Sequence, residues 1–304
     1  MAFGKGQETK EPISFDRYVG IAPFFILGVN MSMAQLKQAF PDRQYDKEPT
    51  YSFEKEGKKG TYVTFQLKLN EEHKDANGIK NFTPRASFLI LDEPKTNREG
   101  TKCQVINSYG DTIWLTKEEL QAKVLPDYAV KQAFSIAGMR VAYNGEAELV
   151  DFIKKLLRIP ASRKYNNVEK VWSLEDENKL KEAYCQFEVQ DIKAILAGNT
   201  SLIWDTVKTL PTNQIKLLCG VRTSGDDNKE YQEICTRIII PYSMTKYEKY
   251  YSELQSMKNQ GSYPNSDFGE PNSALRAYNP APTSFQQATA PTGEADPFGE
   301  FMPA

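Results

Sequence analysis

Side chains able to make or break bonds are few in this chain, and their spacing suits no reaction. His73 is the only histidine. Cys103, Cys185, Cys219 and Cys235 lie far apart with no C-x-x-C pair, so a zinc site lacks its ligands. A thiol–imidazole pair would have to use His73, in the charged run Glu71-Glu72-His73-Lys74-Asp75, where a solvated histidine is the simpler reading. Asp226-Asp227 could hold a divalent ion, yet the setting Ser224-Gly225-Asp226-Asp227-Asn228 is a turn composition that explains them without one. Glu188 and Asp191 lack the further carboxylates of a two-metal nuclease. Phosphate-loop, dinucleotide and nucleophile-elbow patterns are all missing from the sequence. The chain reads as non-enzymatic, with no catalytic residue, metal or cofactor assigned.

The remaining chemistry is that of contact. Residues 158–172 bring together Arg158, Arg163, Lys164, Tyr165, Lys170 and Trp172. Basic side chains neutralise phosphates, and an aromatic face accepts any base at roughly 1–3 kcal/mol per stack. The same segment also reads as a solvated loop whose Trp172 packs inward. Lys68 and Lys102 on strand faces or ends, with Arg222, Lys229 and Arg237 on or beside a second hairpin, would line one groove if their faces were contiguous. Singly, such charges are ordinarily just solvated.

A hairpin over residues 103–115 is the most legible element. Asn107 and Gly110 occupy the first and fourth places of a type I turn, and the glycine can leave it at positive φ. That register sets Cys103 against Leu115, Gln104 against Trp114, Val105 against Ile113 and Ile106 against Thr112. Alternation then makes one face of Cys103, Val105, Ile113 and Leu115 wholly apolar. The other face holds Gln104, Ile106, Thr112 and Trp114, with Tyr109 at the tip. It can stack bases or be covered by a helix.

Other elements follow from periodicity. Residues 14–29 are apolar and extended. Thr61 to Leu69 alternates, with Val63, Phe65, Leu67 and Leu69 opposite Tyr62, Thr64, Gln66 and Lys68. Residues 71–81 read as an exposed loop and 85–91 as a central strand. Ser32 with Gln35, Thr116 with Glu119, and Thr245 with Glu248 mark helix starts. Leu149, Phe152, Ile153, Leu156 and Leu157 fall on one helical face that stops before Pro160. Further helices are expected near 174–184 and 200–209, and strands near 214–222 and 231–240.

With 304 residues, 40% hydrophobic and 12% aromatic, the chain can bury a core. Its formal net charge is -2, which by itself suggests no polyanion partner. The charge is uneven. Residues 259–304 carry Asp267, Glu270, Glu294, Asp296 and Glu300 against Arg276 alone, leaving the preceding residues weakly basic. That C-terminal stretch has no lysine and few aliphatics, and reads as a disordered acidic tail. Near its end Asp296, Pro297, Phe298, Glu300 and Phe301 alternate acid with aromatic, a composition suited to docking on a partner or lying over a basic groove. An inert solubilising tail is the plainer alternative. The longest apolar run, Val19 to Val29, is far short of the ~20 residues of a membrane span. Widely spaced thiols fit a reducing cytoplasm.

Four blocks together resemble the single-stranded DNA-binding proteins of tailed bacteriophages, especially the Bacteroides and crAss-like phage group. They are Gln104-Val-Ile-Asn-Ser-Tyr-Gly-Asp-Thr-Ile-Trp114, Gly145-Glu-Ala-Glu-Leu-Val-Asp-Phe-Ile153 through Pro160, Gly220-Val-Arg-Thr223 and Lys229-Glu-Tyr-Gln-Glu233. The resemblance implies a non-enzymatic replication or recombination protein, acting in the cytoplasm of an infected bacterium through an OB-like barrel. The tail is similar to the acidic C-terminal peptides of bacterial single-stranded DNA-binding proteins, but six residues follow its Asp296-Pro297-Phe298, so a pocket that reads a terminal carboxylate beside Phe would not see it.

The expected fold is α+β: an OB-like β-barrel or strongly curved antiparallel sheet with inserted helices and a disordered acidic tail. Residues 1–13 form a flexible arm, 14–258 the body with a helical insertion at about 116–212, and 259–304 the tail. Expected DNA contacts are Lys68, Lys102, Tyr109, Trp114, Arg158, Arg163, Lys164, Tyr165, Trp172, Arg222 and Arg237, so Trp114→Ala should weaken binding. Phage or host replication proteins are the partners expected for the tail. The alternative is a phage structural or scaffolding protein that binds no DNA.

Overall fold

The computed structural model describes residues 17–70, 79, 82–156, 163–166, 171–174, 189–208, 214–224 and 229–278, with 163–166, 171–174 and 189–190 described by backbone alone. The fold is α+β, built on a strongly curled antiparallel sheet that closes about half of a barrel. Its main path joins β1 (Tyr18–Val29), β3 (Lys58–Leu69), β4 (Arg85–Pro94), β8 (Tyr143–Asn144), β11 (Gln214–Thr223) and β12 (Glu230–Ile240) in the order β12-β11-β1-β3-β4-β8. The short β2 (Ser52–Lys55) adds to the side of β3.

Curling follows from local irregularities. Register shifts fall between Ile26 and Gly28 in β1, between Leu217 and Cys219 in β11, and between Leu91 and Pro94 in β4. Each irregularity bends its strand and adds twist. At the end of β1, Asn30 takes φ 48, a left-handed conformation that asparagine tolerates. Its side chain donates to the Tyr62 carbonyl (2.8 Å) and accepts from the Thr64 N–H (2.7 Å), continuing the pairing where the strand has stopped.

The expected alternation of residues 61–69 holds. Val63, Phe65, Leu67 and Leu69 are buried with Phe24, Ile26, Phe88 and Ile90 on the concave face. That face is filled by α4 (Glu146–Leu156), α5 (Val189–Leu196) and α6 (Ser201–Val207), through Leu149, Phe152, Ile153, Ile192, Ile195 and Ile203. Ile79 joins this core at 2% exposure. Its run was expected to be an exposed loop, and a single apolar anchor in a polar segment is what periodicity misses.

A second layer lies outside. Helix α7 (Glu248–Asn259) packs Tyr250, Tyr251 and Leu254 onto Ile21, Leu218, Cys235 and Ile238. Its start is not the expected Thr245 box; Tyr247 stands at the cap and no side chain closes it. The boxes at Ser32 and Thr116 do form, opening α1 (Met33–Ala39) and α2 (Lys117–Ala122).

The tail was expected to begin at 259, and the structure corrects that boundary. Residues through 278 are a strap over the sheet: β13 (Ser266–Asp267) pairs with β11 and β14 (Arg276–Ala277) with β1. Phe268 and Leu275 are buried at 3% and 1% exposure. Gly220 makes room for the strap, since a Cβ there would lie 2.6 Å from the Phe268 ring. Two apolar anchors and two short pairings hold a segment whose composition alone reads as disordered. Residues 279–304, including Asp296, Pro297, Phe298, Glu300 and Phe301, lie outside the described residues.

The insertion at 116–212 is not purely helical. It contains α2, α3 (Asp127–Lys131), β7 (Arg140–Val141), β8, α4 and a backbone hairpin of β9 (Arg163–Asn166) and β10 (Val171–Leu174). Strand β7 pairs with β5 (Cys103–Ile106), which pairs with β6 (Thr112–Leu115), making a separate three-stranded sheet. No helix among the described residues is long and apolar enough to cross a membrane.

Candidate nucleic-acid interface

Antiparallel pairing sorts the side chains of β3 and β4 onto two faces. Thr64 pairs with Ser87, Gln66 with Arg85 and Tyr62 with Leu89, all on the convex side. The loop before β2 and the segment leading into β4 rise around these residues. Together they enclose a groove of about 700 Å³ lined by Arg43, Tyr51, Tyr62, Thr64, Phe82, Arg85 and Ser87, with Gln232 at its rim. Two guanidinium groups and three aromatic rings share it, and its described lining holds no carboxylate.

Each wall is fixed from behind. The Tyr62 N–H donates to the Tyr51 carbonyl (2.7 Å), and Phe53 meets the Tyr62 ring edge-on at 6.0 Å. The Tyr51 hydroxyl donates to the Met31 carbonyl at 2.7 Å. Burial pushes that phenol above its ordinary range, with nearby Arg85 pulling against the rise, so Tyr51 stays a neutral donor. Phe82 packs on Tyr18 and Phe24 with ring centroids 4.9 and 5.9 Å away. Thr64 and Ser87 share a hydroxyl–hydroxyl bond of 3.0 Å across the floor.

A second depression, of about 470 Å³, adjoins the first. Ser87 lines both, and Glu148, Asp151 and Arg237 line the second.

The residues singled out from sequence disperse. Lys68 lies on the same convex face as Gln66 and Thr64, two residues beyond Gln66. Arg237 is exposed and donates to the Ser262 hydroxyl at 3.0 Å, at the second depression. Arg222 is exposed with its guanidinium over the Tyr231 ring at 5.4 Å, and strand alternation puts this pair on the face opposite Gln232. Lys102 is exposed beside the three-stranded sheet. These cations therefore do not line one groove: Lys68, Arg222 and Arg237 stand on different strands and faces of the main sheet, Lys102 lies beside the three-stranded sheet, and Arg163 and Lys164 stand on the β9–β10 pair. Arg158 lies outside the described residues. Arg163, Lys164, Tyr165 and Trp172 stand on the β9–β10 hairpin, with Trp172 opposite Tyr165 in the backbone register.

The 103–115 hairpin has the expected register, Cys103 with Leu115 through Ile106 with Thr112. For Tyr109 the expected stacking role is corrected. Tyr109 is 1% exposed. Asn107 accepts from the Tyr109 and Asp111 N–H groups and donates to the Ser135 carbonyl, while the Ser108 N–H donates to the Ala137 carbonyl. The tip is thereby folded under residues 135–137. Ile106 is buried against Ala142 and Val150. Trp114 is half-buried, and its backbone N–H and carbonyl both bond the Tyr128 hydroxyl, at 3.2 and 3.0 Å. Of the half-polar face, Ile106 and the tip Tyr109 are covered, whereas Gln104 and Trp114 are half-buried and Thr112 is exposed.

The sequence reading missed Arg43, Tyr51, Phe82 and Arg85 as site residues, and listed Tyr62 only as the polar side of a strand. The available signal was that convex side: its alternation was visible, but not the loops that wall it. Set against known protein families, curated proteins and solved structures, the chain matches none.

Proposed function

We propose that this protein binds single-stranded nucleic acid without strong sequence demand, through the convex groove of β3 and β4. The observation that carries this reading is the joint presence of Arg43 and Arg85 with Tyr51, Tyr62 and Phe82 in a groove whose described lining is free of carboxylate. Guanidinium groups hold phosphates, and exposed ring faces take unstacked bases of any identity. Lys68 extends the cationic face. A curled antiparallel sheet of this kind is compatible with an OB-like barrel, a fold that presents strand faces and flanking loops to oligonucleotides. The phage-type replication or recombination role follows from the resemblance in sequence, as does recruitment of replication proteins by Asp296, Phe298, Glu300 and Phe301.

The test is a titration of labelled oligo-dT at low and high salt. The expected result is binding that weakens with salt and is reduced in Arg85→Ala. Preference for duplex over single strand would defeat the reading.

A second reading has one observation in its favour. Val124, Tyr128, Val130 and Ile136 are exposed at 57%, 42%, 58% and 52%, all within one short stretch of α3 and its flanks. Such clustering suits a protein contact, as a structural or scaffolding role requires. Light scattering that falls from an oligomer to a monomer in Val130→Asp, with no oligo-dT binding by either form, would favour it.

A further inference from the structure

A strand lying along the convex groove and continuing past Ser87 enters the second depression, where the chemistry changes. The first groove offers cations and rings. The second offers the Glu148 and Asp151 carboxylates beside the Arg237 guanidinium. Carboxylates repel phosphate, so this end does not suit the backbone of the strand. It does suit the edge of a base, which carries donors and acceptors together.

The supporting contacts leave one carboxylate unengaged. Asp151 accepts from Lys155 at 2.7 Å, and Lys155 also donates to the Arg237 carbonyl at 2.6 Å, tying α4 to β12. Arg237 is steadied by Ser262. Glu148 is exposed and has no hydrogen-bond or ion-pair partner among the described residues. Gly145 opens the site at φ +87, and a Cβ there would collide with the Leu89 carbonyl oxygen. No residue but glycine lets the start of α4 approach β4 this closely.

We propose that the depression beyond Ser87 reads a base, with Glu148 accepting from an exocyclic amine and Arg237 donating to the neighbouring acceptors. Cytosine presents an amine beside two acceptors. Thymine presents one N–H between two carbonyls, which repel a carboxylate. Adenine shares the amine beside an acceptor, so the site adds discrimination against thymine, and dC over dT in particular, to an otherwise tolerant groove. This inference rests on the nucleic-acid reading above.

Labelled dC and dT oligomers of equal length, titrated into the full chain at one salt concentration, test it. The expected result is about tenfold tighter binding of dC, the discrimination of one good two-point base contact. Glu148→Gln collapses the ratio towards one, whereas Glu118→Gln, an exposed carboxylate on α2, keeps it. Equal binding of dC and dT by the unaltered chain, or a preference that survives Glu148→Gln, overturns the base-reading site and leaves the groove standing. Failure to bind either oligomer at low salt overturns both.

Discussion

Gln232 treats the backbone of Tyr18 as a neighbouring strand would. Its side-chain oxygen accepts from the Tyr18 N–H at 2.8 Å, and its nitrogen donates to the Tyr18 carbonyl at 2.8 Å. The same nitrogen reaches the Gly220 carbonyl at 2.8 Å. One carboxamide thus ties β12 to the start of β1 and to β11 together. Gln232→Leu orphans the Tyr18 groups, and the expected loss is about 1–3 kcal/mol for each one left buried. Urea denaturation reads it, and an unchanged midpoint would show that water replaces the amide.

Arg140 and Glu146 form the most enclosed ion pair among the described residues. Both guanidinium nitrogens reach the Glu146 carboxylate, which is fully buried and also accepts from the Tyr143 N–H at 2.9 Å. Arg140→Leu leaves that carboxylate in the interior with its charge unmatched, and the expected cost is about 3–5 kcal/mol. Adding Glu146→Leu recovers much of the loss, because neither charge is then buried alone. Denaturation of the two single variants and the double variant measures the coupling. A double variant less stable than Arg140→Leu would refute the account.

Alkali should loosen the fold through its thiols. Burial pushes Cys219 well above the ordinary thiol value of 9.0 and raises Cys235 as well. The unfolded chain releases those protons near 9.0, while the folded chain keeps them. The folded state therefore binds more protons above that point, and stability falls as pH rises through it. Below it both states are protonated and the thiols add no slope. Tyr263, raised first by burial, extends the loss further into alkali. Urea midpoints from about pH 7 to about pH 11 should decline, and Cys219→Ala should flatten the decline. A slope identical in that variant would remove Cys219 from the explanation.

The strap belongs to the fold. A chain cut after Tyr278 keeps β13, β14 and the buried Phe268 and Leu275, and its melting temperature should match the full chain. A cut after Asn259 exposes the Ile21–Leu218–Tyr251 cluster, and its melting temperature should fall by several degrees. Equal melting for both cuts would mean that the strap only rests on the sheet.

Legibility in the sequence tracked the range of the interactions. The 103–115 register was readable because Asn107 and Gly110 fix it within a few residues. The capping boxes at Ser32 and Thr116 are equally local. The burial of Tyr109 was not readable, since it depends on Ser135 and Ala137 folding back over the turn. The strap escaped notice because its polar composition outweighs Phe268 and Leu275, two anchors that matter only where Gly220 and β1 receive them. The groove was least accessible of all. Arg43, Tyr51, Tyr62, Phe82 and Arg85 come from three separate stretches, and only curling of the sheet brings them together.

Binding should separate the main curled sheet from the three-stranded one. Arg85→Ala removes a phosphate contact, so affinity for oligo-dT falls and the salt slope shrinks by about 1. Tyr62→Ala removes a stacking face while leaving charge unchanged, so affinity falls by about 1–3 kcal/mol with the slope preserved. Trp114 stands on the three-stranded sheet, its strand bonded to Tyr128, and Trp114→Ala should change neither quantity. Ile113→Asp on the same hairpin should unfold its module, because Ile113 is 2% exposed among Val105, Leu115 and Phe134. These variants distinguish a groove from a general positive surface. A diffuse surface would lose slope in every cation variant and nothing in Tyr62→Ala. A groove at β3 and β4 loses stacking at Tyr62 and charge at Arg85, and it is insensitive to Trp114. If Trp114→Ala weakened binding as much as Tyr62→Ala, the nucleic acid would have to run over the hairpin and not along the convex face.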